Sequence, residues 1–458
     1  MPFTRQVSAT RKAVLAVGAV TLLAGALRFH ALSRPPEKVF DEVYYASDGC
    51  LYAGEPYREC GLEAGVERSW VHPPLGKQLI ARGIDVFGNR PFGWRAAAAL
   101  AGTLTVALVG VLGFLLFGSA VWAVVASLLA GAEHLLFVQS RVAMLDVFVA
   151  FFVVLGFALL VADRRRDPTG RPREPLPPAN VPPAPPVPSR GRIRPLQLAA
   201  GAAFGAAVAV KWSGYLALLG GILLATIWTV RRIRDEEGRV TELLGVAVSF
   251  VLVPFVVYLL TWIPWLAERG FDVGEWFGHH GDMLSYHLNL DTVDDAGEPI
   301  HPYMSRAWSW LLLLRPVAYH WQGDPDCCAE ILGMGNPALF WGALLVIPYL
   351  VLVWASRKEW QAGAILVPIL VQVVPWLIVA RPLFLFYMTP VTPFLAIGMV
   401  YPLRDLVRSR LDPRAAVFAA AAVVGVCLAM FAFFWPVLAA SPLSYEEWRT
   451  RIWFDGWV

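Results

Sequence analysis

The feature that most constrains this chain is a series of apolar segments, each about 20 residues long, the length that an α-helix needs to cross a bilayer. Only helices and closed barrels satisfy their backbone hydrogen bonds inside hydrocarbon. Composition agrees, since 57% of the 458 residues are hydrophobic and 16% are charged. We therefore predict an all-α polytopic membrane protein with about eleven transmembrane helices. They fall near residues 13–32, 94–117, 120–139, 142–161, 196–210, 214–230, 243–265, 337–354, 362–379, 383–403 and 415–437.

The charged residues alternate in sign from loop to loop, and this alternation predicts how the chain is oriented. Basic residues concentrate at 164–194, 231–239, 357–358 and 404–414, and most acidic residues lie in the intervening loops. Because cytoplasmic loops are enriched in Lys and Arg, we predict a plasma-membrane protein with a cytoplasmic N-terminus and an extracytoplasmic C-terminus. The basic start also fits a signal peptide, but the apolar run reaches Leu32 without a clear cleavage site, which favours an uncleaved anchor.

The chain is predicted to form a single membrane-embedded domain, residues 1–458, with three notable connecting segments. The first outer loop, 33–93, is polar and contains two adjacent carboxylates. The inner segment 163–195 is rich in proline, which predicts an extended linker that serves as a spacer or docks a partner. The long outer loop, 267–336, is dense in aromatic residues and histidine, which suits an interfacial helix or a platform for sugar rings.

Two adjacent carboxylates, Asp41 and Glu42, directly follow the first apolar segment. Adjacent carboxylates repel each other and can differ in pKa, which suits one of them to general-base catalysis. The same pair could simply face water on a loop, as most acidic side chains do. Their position just outside a membrane helix favours chemistry on a lipid-linked substrate.

Further ionisable residues fall at the same predicted outer face, close to the ends of apolar segments. They are His72, Lys77, Arg95, Arg141, Asp146 and Lys211. A single charge such as Arg95 can extend along its own alkyl stem to reach water. Several charges at one depth indicate pairing or function, because charge within a membrane is costly. A cluster of Arg and Lys suits a phosphate or pyrophosphate headgroup.

The cysteines are biased towards the predicted outer loops, which hold Cys50, Cys60, Cys327 and Cys328, whereas Cys427 lies in an apolar segment. An oxidising exterior makes a Cys50–Cys60 disulfide plausible, although four cysteines allow three pairings. The adjacent Cys327 and Cys328 do not match the usual zinc spacings, and no metal or other cofactor is predicted. The net charge of +3 is too small to indicate a nucleic-acid partner.

Four short motifs, taken in order, resemble those of the protein O-mannosyltransferases. They are FDE at 40–42, HPPLGK at 72–77, SRVAMLD at 140–146 and KWSG at 211–214. Two later motifs, SRAWSW at 305–310 and RP at 315–316, resemble the bacterial, especially actinobacterial, branch. The likeness covers nearly the whole chain. One departure is plain: eukaryotic members insert a large β domain in the long outer loop, and residues 267–336 leave no room for it.

The resemblance implies a GT-C type glycosyltransferase fold with its active site on outer-face loops. It implies transfer of mannose from polyprenyl phosphate mannose to Ser or Thr hydroxyls of secreted proteins, by a single displacement that inverts the anomeric centre. The expected partners are this lipid-linked donor, the acceptor proteins and membrane lipid, and coupling to the secretion channel is left open.

The resemblance also implies roles for individual residues. Asp41 is the expected general base, and Glu42 positions the acceptor or assists. The leaving lipid phosphate is expected to be stabilised by Arg95, Lys211 and Arg141. His72 and Lys77 are expected to hold the first loop against the donor headgroup, and Asp146 either positions substrate or pairs with Arg141.

Two other functions fit part of this pattern. A related polytopic transferase could use the same donor and deliver the sugar to a lipid or a cell-wall glycan. A transporter or flippase also places charges in membrane spans, but it usually shows an internal repeat with interrupted helices. The sequence shows no such repeat, and its charges gather at one predicted face.

Overall fold

A computed structural model describes residues 2–66, 69–166, 194–232, 236–294, 296–324, 327–409 and 412–457. Most of the proline-rich segment 163–195 therefore lies outside the described residues, so its predicted role as an extended linker stays a prediction. The described chain is mostly helical. The helices are α1 Pro2–Phe29, α2 Glu42–Tyr52, α3 Tyr57–Cys60, α4 Leu75–Phe87, α5 Pro91–Phe117, α6 Ala120–Gly131, α7 His134–Gln139, α8 Asp146–Arg166, α9 Pro195–Val210, α10 Gly214–Arg232, α11 Glu236–Ala247, α12 Val253–Thr261, α13 Ile263–Glu268, α14 Val273–Leu288, α15 Pro337–Arg357, α16 Trp360–Val373, α17 Thr392–Val407, α18 Pro413–Leu438 and α19 Tyr445–Arg449.

Eight helices among the described residues are long and apolar enough to cross a membrane. They lie at Arg11–Phe29, Pro91–Phe117, Asp146–Arg166, Gly214–Arg231, Arg239–Thr261, Pro337–Arg357, Trp360–Leu377 and Pro413–Leu438. The Arg239–Thr261 span joins α11 to α12 through a π-helical turn. Every predicted segment contains a helix, so the polytopic class is confirmed. The count of eleven is not confirmed, since α6, α9 and α17, which fall in three of the predicted spans, are not among these eight helices.

The predicted span at 120–139 is interrupted in the structure, and a buried carboxylate explains the interruption. Helix α6 ends at Gly131, and Glu133 caps the start of α7 by accepting from the backbone N–H groups of Leu135 and Leu136, at 3.1 and 2.6 Å. An acidic N-cap satisfies N–H groups that a helix start leaves without a partner. The chain therefore breaks where apolar composition alone predicts continuity.

The segment 33–93, predicted as a loop, contains three helices, α2, α3 and α4, and α2 and α4 pack into the bundle. Gly49 of α2 lies against Ile80 of α4, where an added Cβ would come within 2.7 Å of the Ile80 side chain. Helix α4 in turn packs on α5. A disulfide joins Cys50 to Cys60, as the oxidising exterior suggested. The carboxylate motif therefore lies at the start of a helix that is held in place by helix packing and a disulfide.

The segment 267–336 contains helix α14, a β-hairpin and irregular chain. Strands β1 (Val317–Asp324) and β2 (Cys327–Gly333) pair antiparallel, with a bulge at Tyr319, between the paired residues Ala318 and His320. A bridge between Cys328 and Leu443 ties β2 to the C-terminal segment. The hairpin departs from the all-α prediction, because windows of about 20 residues suited to membrane helices do not register strands of ordinary length.

Candidate active site

A buried ion pair forms the floor of the candidate site. Lys211 follows the last residue of α9 in extended conformation, and its Nζ lies 3.0 Å from both carboxylate oxygens of Asp146, the first residue of α8. This pair borders a cavity of about 280 Å³. The polar and aromatic residues lining it include His72, Trp212, His287, Gln372, Trp376, Arg381 and Tyr387. The cavity therefore combines cationic groups with apolar walls.

Asp41 lies beside this ion pair, at the N-cap position of α2. Its carboxylate accepts a hydrogen bond from the Tyr45 hydroxyl at 3.3 Å. Burial raises the pKa of Asp41 to about 6, with Lys211 lowering it and Asp146 raising it. A carboxylate with a pKa near the working pH is well suited to accept a proton from a substrate hydroxyl.

Glu42 has a different environment from its neighbour. Its carboxylate pairs with Arg95 at 2.8 Å, and both side chains are 0% exposed. It also accepts from the backbone N–H of Val39 at 3.0 Å and of Ala143 at 2.8 Å. Glu42 therefore fastens the loop of Asp41 both to α5 and to the turn that leads into α8.

Arg95 uses all five of its N–H groups within the protein. Two bonds go to Glu42, and the others go to the backbone oxygens of Leu32, Pro35 and Glu37, at 2.7 to 3.1 Å. A guanidinium has five N–H donors and no acceptor. In this arrangement Arg95 has no donor left to offer a lipid phosphate.

Arg141 closes the end of helix α1. It donates to the carbonyl oxygens of Arg28 at 2.9 Å and His30 at 2.6 Å, with longer bonds to Leu27 and Ala31. The last carbonyl groups of a helix need such donors because no further turn follows. Arg141 thus orients the chain that runs from the first span to the carboxylate motif.

Two residues that the sequence analysis did not single out for a role, His287 and Arg381, also line the cavity. His287 of α14 has Nε2 at 3.0 Å from the Val71 carbonyl oxygen and Nδ1 at 3.2 Å from Arg381 Nη1. A carbonyl only accepts, so Nε2 carries the proton and Nδ1 accepts from Arg381. Burial and the adjacent Arg381 cation lower the pKa of His287 to about 4, which keeps the ring neutral. His72 stacks on His287 with ring centroids 5.5 Å apart.

Arg381 and His72 each keep a buried nitrogen without a hydrogen-bond partner among the described residues, Nε in Arg381 and Nδ1 in His72. Both residues line the cavity. In the sequence, Arg381 is a single cation between two apolar segments. Because charge near a membrane core is costly and is usually functional or paired, this position could have identified it as a candidate site residue. Unsatisfied buried nitrogens at a cavity wall are positioned to meet a polar ligand.

The family models that match this chain and two relatives with similar sequences name one activity. Two family models match: one described as the C-terminal four TMM region of protein-O-mannosyltransferase, at residues 273–457, and one described as dolichyl-phosphate-mannose-protein mannosyltransferase, at 87–174. A polyprenol-phosphate-mannose–protein mannosyltransferase of Mycolicibacterium smegmatis is 30% identical, over 96% of this chain and 92% of its own length. The Mycobacterium tuberculosis protein of the same name is 30% identical, over 97% and 91%. The chain belongs to the protein O-mannosyltransferase family.

Solved structures show the fold of this O-mannosyltransferase family member. The S. cerevisiae protein O-mannosyltransferase Pmt1–Pmt2 complex bound to the sugar donor aligns with a TM-score of 0.78 at 13% identity, over 97% of this chain and 92% of that chain. ArnT from Cupriavidus metallidurans bound to undecaprenyl phosphate aligns with a TM-score of 0.53 at 18% identity, over 90% and 63%. The predicted GT-C type fold is thus confirmed.

The residues predicted from the family motifs separate into two groups in the structure. Asp41, His72, Asp146 and Lys211 gather at the cavity or beside it. The second group does not line the cavity; its members bond to other protein groups and hold the surrounding chain in place, and we call them framework residues: Glu42, Lys77, Arg95 and Arg141. Lys77 Nζ donates to the Ser69 carbonyl at 3.2 Å, which braces the segment that leads to His72.

Of the two alternatives expected for Asp146, the pairing with Arg141 is wrong. Asp146 pairs with Lys211 across 65 residues, whereas Arg141 is engaged by the carbonyl groups at the end of α1. A carboxylate at the start of α8 and a cation at the end of α9 meet because these neighbouring helices pack together. That packing is not visible in the short motif that contains both Arg141 and Asp146.

Proposed function

We propose that this chain transfers mannose from polyprenyl phosphate mannose to Ser or Thr hydroxyls of secreted proteins, at the outer face of the plasma membrane. The observation that carries the proposal is the carboxylate of Asp41 beside a cavity with two cationic side chains in its wall, Lys211 and Arg381. The names of the mycobacterial relatives support the donor and the acceptor class. The alternating basic loops support an N-terminus in the cytoplasm and a C-terminus outside.

The chemistry follows from the positions of these groups. Asp41 takes the proton of the acceptor hydroxyl as its oxygen attacks the anomeric carbon of mannose. The bond between that carbon and the phosphate oxygen breaks, and its electron pair leaves with the lipid phosphate. Because attack and departure occur on opposite faces, one displacement inverts the anomeric centre.

We assign the donor phosphate to the cavity residues Lys211, Arg381 and His72. Cationic donors in a site that excludes water stabilise charge that develops on a leaving group. The Asp146 carboxylate holds Lys211 Nζ by two bonds of 3.0 Å and so fixes where this cation sits. Arg381 is oriented by its bond to His287, and its buried Nε is available to a phosphate oxygen.

In this proposal four residues position Asp41 and His72: Glu42, Arg95, Arg141 and Lys77. Their charges and hydrogen bonds are satisfied within the protein, at the ends of α1, α2, α4 and α5. They hold Asp41 and His72 in place without touching the substrate. This assignment replaces the phosphate-binding role expected for Arg95 and Arg141 from the motifs.

The test uses purified protein in lipid with polyprenyl phosphate mannose and a Ser/Thr-rich peptide. We expect wild type to mannosylate the peptide, and Asp41→Asn to lose activity by orders of magnitude while donor binding persists, since the amide cannot take the proton. Asp291→Asn makes the same chemical change at an exposed carboxylate and serves as the matched control. Consumption of the donor onto a lipid or glycan, with the peptide unmodified, would refute the acceptor class. Full activity of Asp41→Asn would refute the base assignment.

A further inference from the structure

A buried polar pair, Gln139 and Tyr319, lies close to the base and takes no part in the mechanism above. The Gln139 amide nitrogen donates to the Tyr319 hydroxyl at 2.6 Å, and the two residues are 0% and 3% exposed. Within the described residues, the Gln139 carbonyl oxygen has no hydrogen-bond partner. The phenol accepts from the amide, so its own proton also remains to be donated. If the oxygen and nitrogen of the Gln139 amide exchanged places, the oxygen would bond the Tyr319 hydroxyl and the nitrogen would be left without a partner.

The Tyr319 member of the pair lies close enough to both Asp41 and Asp146 for their charges to act on its hydroxyl. The Tyr319 ring packs against Phe40, the residue before Asp41, with centroids 4.9 Å apart, and its centroid is 6.2 Å from that of Phe386. The Phe386 ring in turn lies 5.5 Å from Lys211 Nζ. In the proposed reaction the sugar lies between Asp41 and Lys211, with its anomeric carbon towards Asp41 and its phosphate towards Lys211, and these ring contacts bring Tyr319 close to that position.

Both side chains are fixed by their own elements. Gln139 is the last residue of α7 and directly precedes the turn whose Ala143 N–H bonds Glu42. Tyr319 is the bulged residue of β1, and its neighbours Ala318 and His320 both pair with β2. Burial raises the pKa of Tyr319 well above its ordinary value, and the carboxylates of Asp146 and Asp41 raise it further. The phenol therefore keeps its proton and acts as a donor.

We propose that Gln139 and Tyr319 bind a hydroxyl group of the transferred hexose and so contribute to sugar selection. This inference rests on the proposed function, because it requires a hexose in the donor site. A sugar hydroxyl both donates and accepts, so it can receive the phenol proton and give its own to the carboxamide oxygen. A dry site built to bond a hydroxyl rejects an analogue that lacks it, because the buried partners are then left unpaired.

The experiment measures donor binding without acceptor. Dissociation constants are measured for polyprenyl phosphate mannose, its monodeoxy analogues and polyprenyl phosphate without sugar, on wild type, Tyr319→Phe and Gln139→Met. We expect one deoxy analogue to bind wild type about tenfold more weakly than the parent donor, the size of a net hydrogen bond. In Tyr319→Phe and Gln139→Met the parent is expected to bind about tenfold more weakly, with the same deoxy analogue now binding nearly as well as the parent.

Polyprenyl phosphate without sugar reports on the rest of the site. Its binding is expected to be unchanged in both variants, because the phosphate lies at Lys211 and Arg381. Tyr349→Phe removes the hydroxyl of a tyrosine outside the site, which bonds Asp405 at 2.6 Å. It should leave the ratio of each deoxy analogue's dissociation constant to that of the parent donor as in wild type. If the variants weaken every donor and the sugar-free lipid alike, the pair is structural and the proposal is wrong. Equal wild-type affinity for all deoxy analogues would overturn it too.

The binding measurement also separates this inference from the proposed function. No peptide is present, so an error in the acceptor class changes peptide labelling and leaves the deoxy ratios intact. If every deoxy analogue binds wild type as tightly as the mannosyl donor, the site makes no hydroxyl contact and the inference fails, even if peptide labelling succeeds.

Discussion

Replacing Arg95 by Met tests whether this residue is part of the framework or a ligand of the donor phosphate. The substitution removes five hydrogen bonds and leaves the Glu42 carboxylate buried, with only the N–H groups of Val39 and Ala143 to stabilise it. Breaking a fully buried ion pair by removing one partner costs about 3–5 kcal/mol. We therefore expect a clear loss of folding stability and of kcat, because Glu42 holds the loop of Asp41.

The assay combines thermal unfolding in detergent with donor binding. Arg95→Met should lower the melting temperature while folded protein binds polyprenyl phosphate mannose with unchanged affinity. Arg82→Met is the matched control, because Arg82 makes a surface ion pair with Asp85 at 2.8 Å and is 76% exposed, and such pairs contribute little. The double variant Arg95→Met/Glu42→Gln should recover part of the loss, since it no longer buries an unpaired charge. Normal stability of Arg95→Met together with at least tenfold weaker donor binding would refute this reasoning.

Two further predictions concern the cavity. The pKa of Asp41 is raised from 3.8 to about 6, so the base is protonated in acid, and kcat/KM should reach half its plateau at about pH 6 and level off about one pH unit higher. A profile already level at about pH 4.5, where an unshifted carboxylate is mostly ionised, would contradict it. Arg381→Met should weaken donor binding roughly tenfold or more, the size of a hydrogen bond to a charged group. Arg381→Lys should restore only part of the affinity, because Lys cannot reproduce the planar arrangement of guanidinium donors. If Arg381→Met binds donor within about twofold of wild type, a change below 0.5 kcal/mol, Arg381 is not part of the phosphate site.

Local patterns in the sequence anticipated a large part of the site. Asp41, His72, Asp146 and Lys211 were each found from a short motif or a charge beside an apolar segment, and all of them lie at the cavity or beside it. His287 was noted only as one of many aromatic and histidine residues in its loop, and Arg381 was not considered. Their roles come from the bond between them, which joins residues 94 positions apart.

The sequence by itself determined the membrane class, the approximate positions of the helices and the family motifs, because these depend on hydropathy and residue identity within short windows. Only the tertiary structure decided which charges pair with each other and which of them line the cavity. Arg95 and Lys211 look alike along the chain, yet the first has all its donors bonded to Glu42 and three carbonyl groups, while the second, paired with Asp146, lines the cavity. Gln139 and Tyr319, 180 residues apart, become a pair only through packing. The physical reason is that hydrogen bonds and ion pairs act over a few ångströms, so their partners are set by how distant segments pack together.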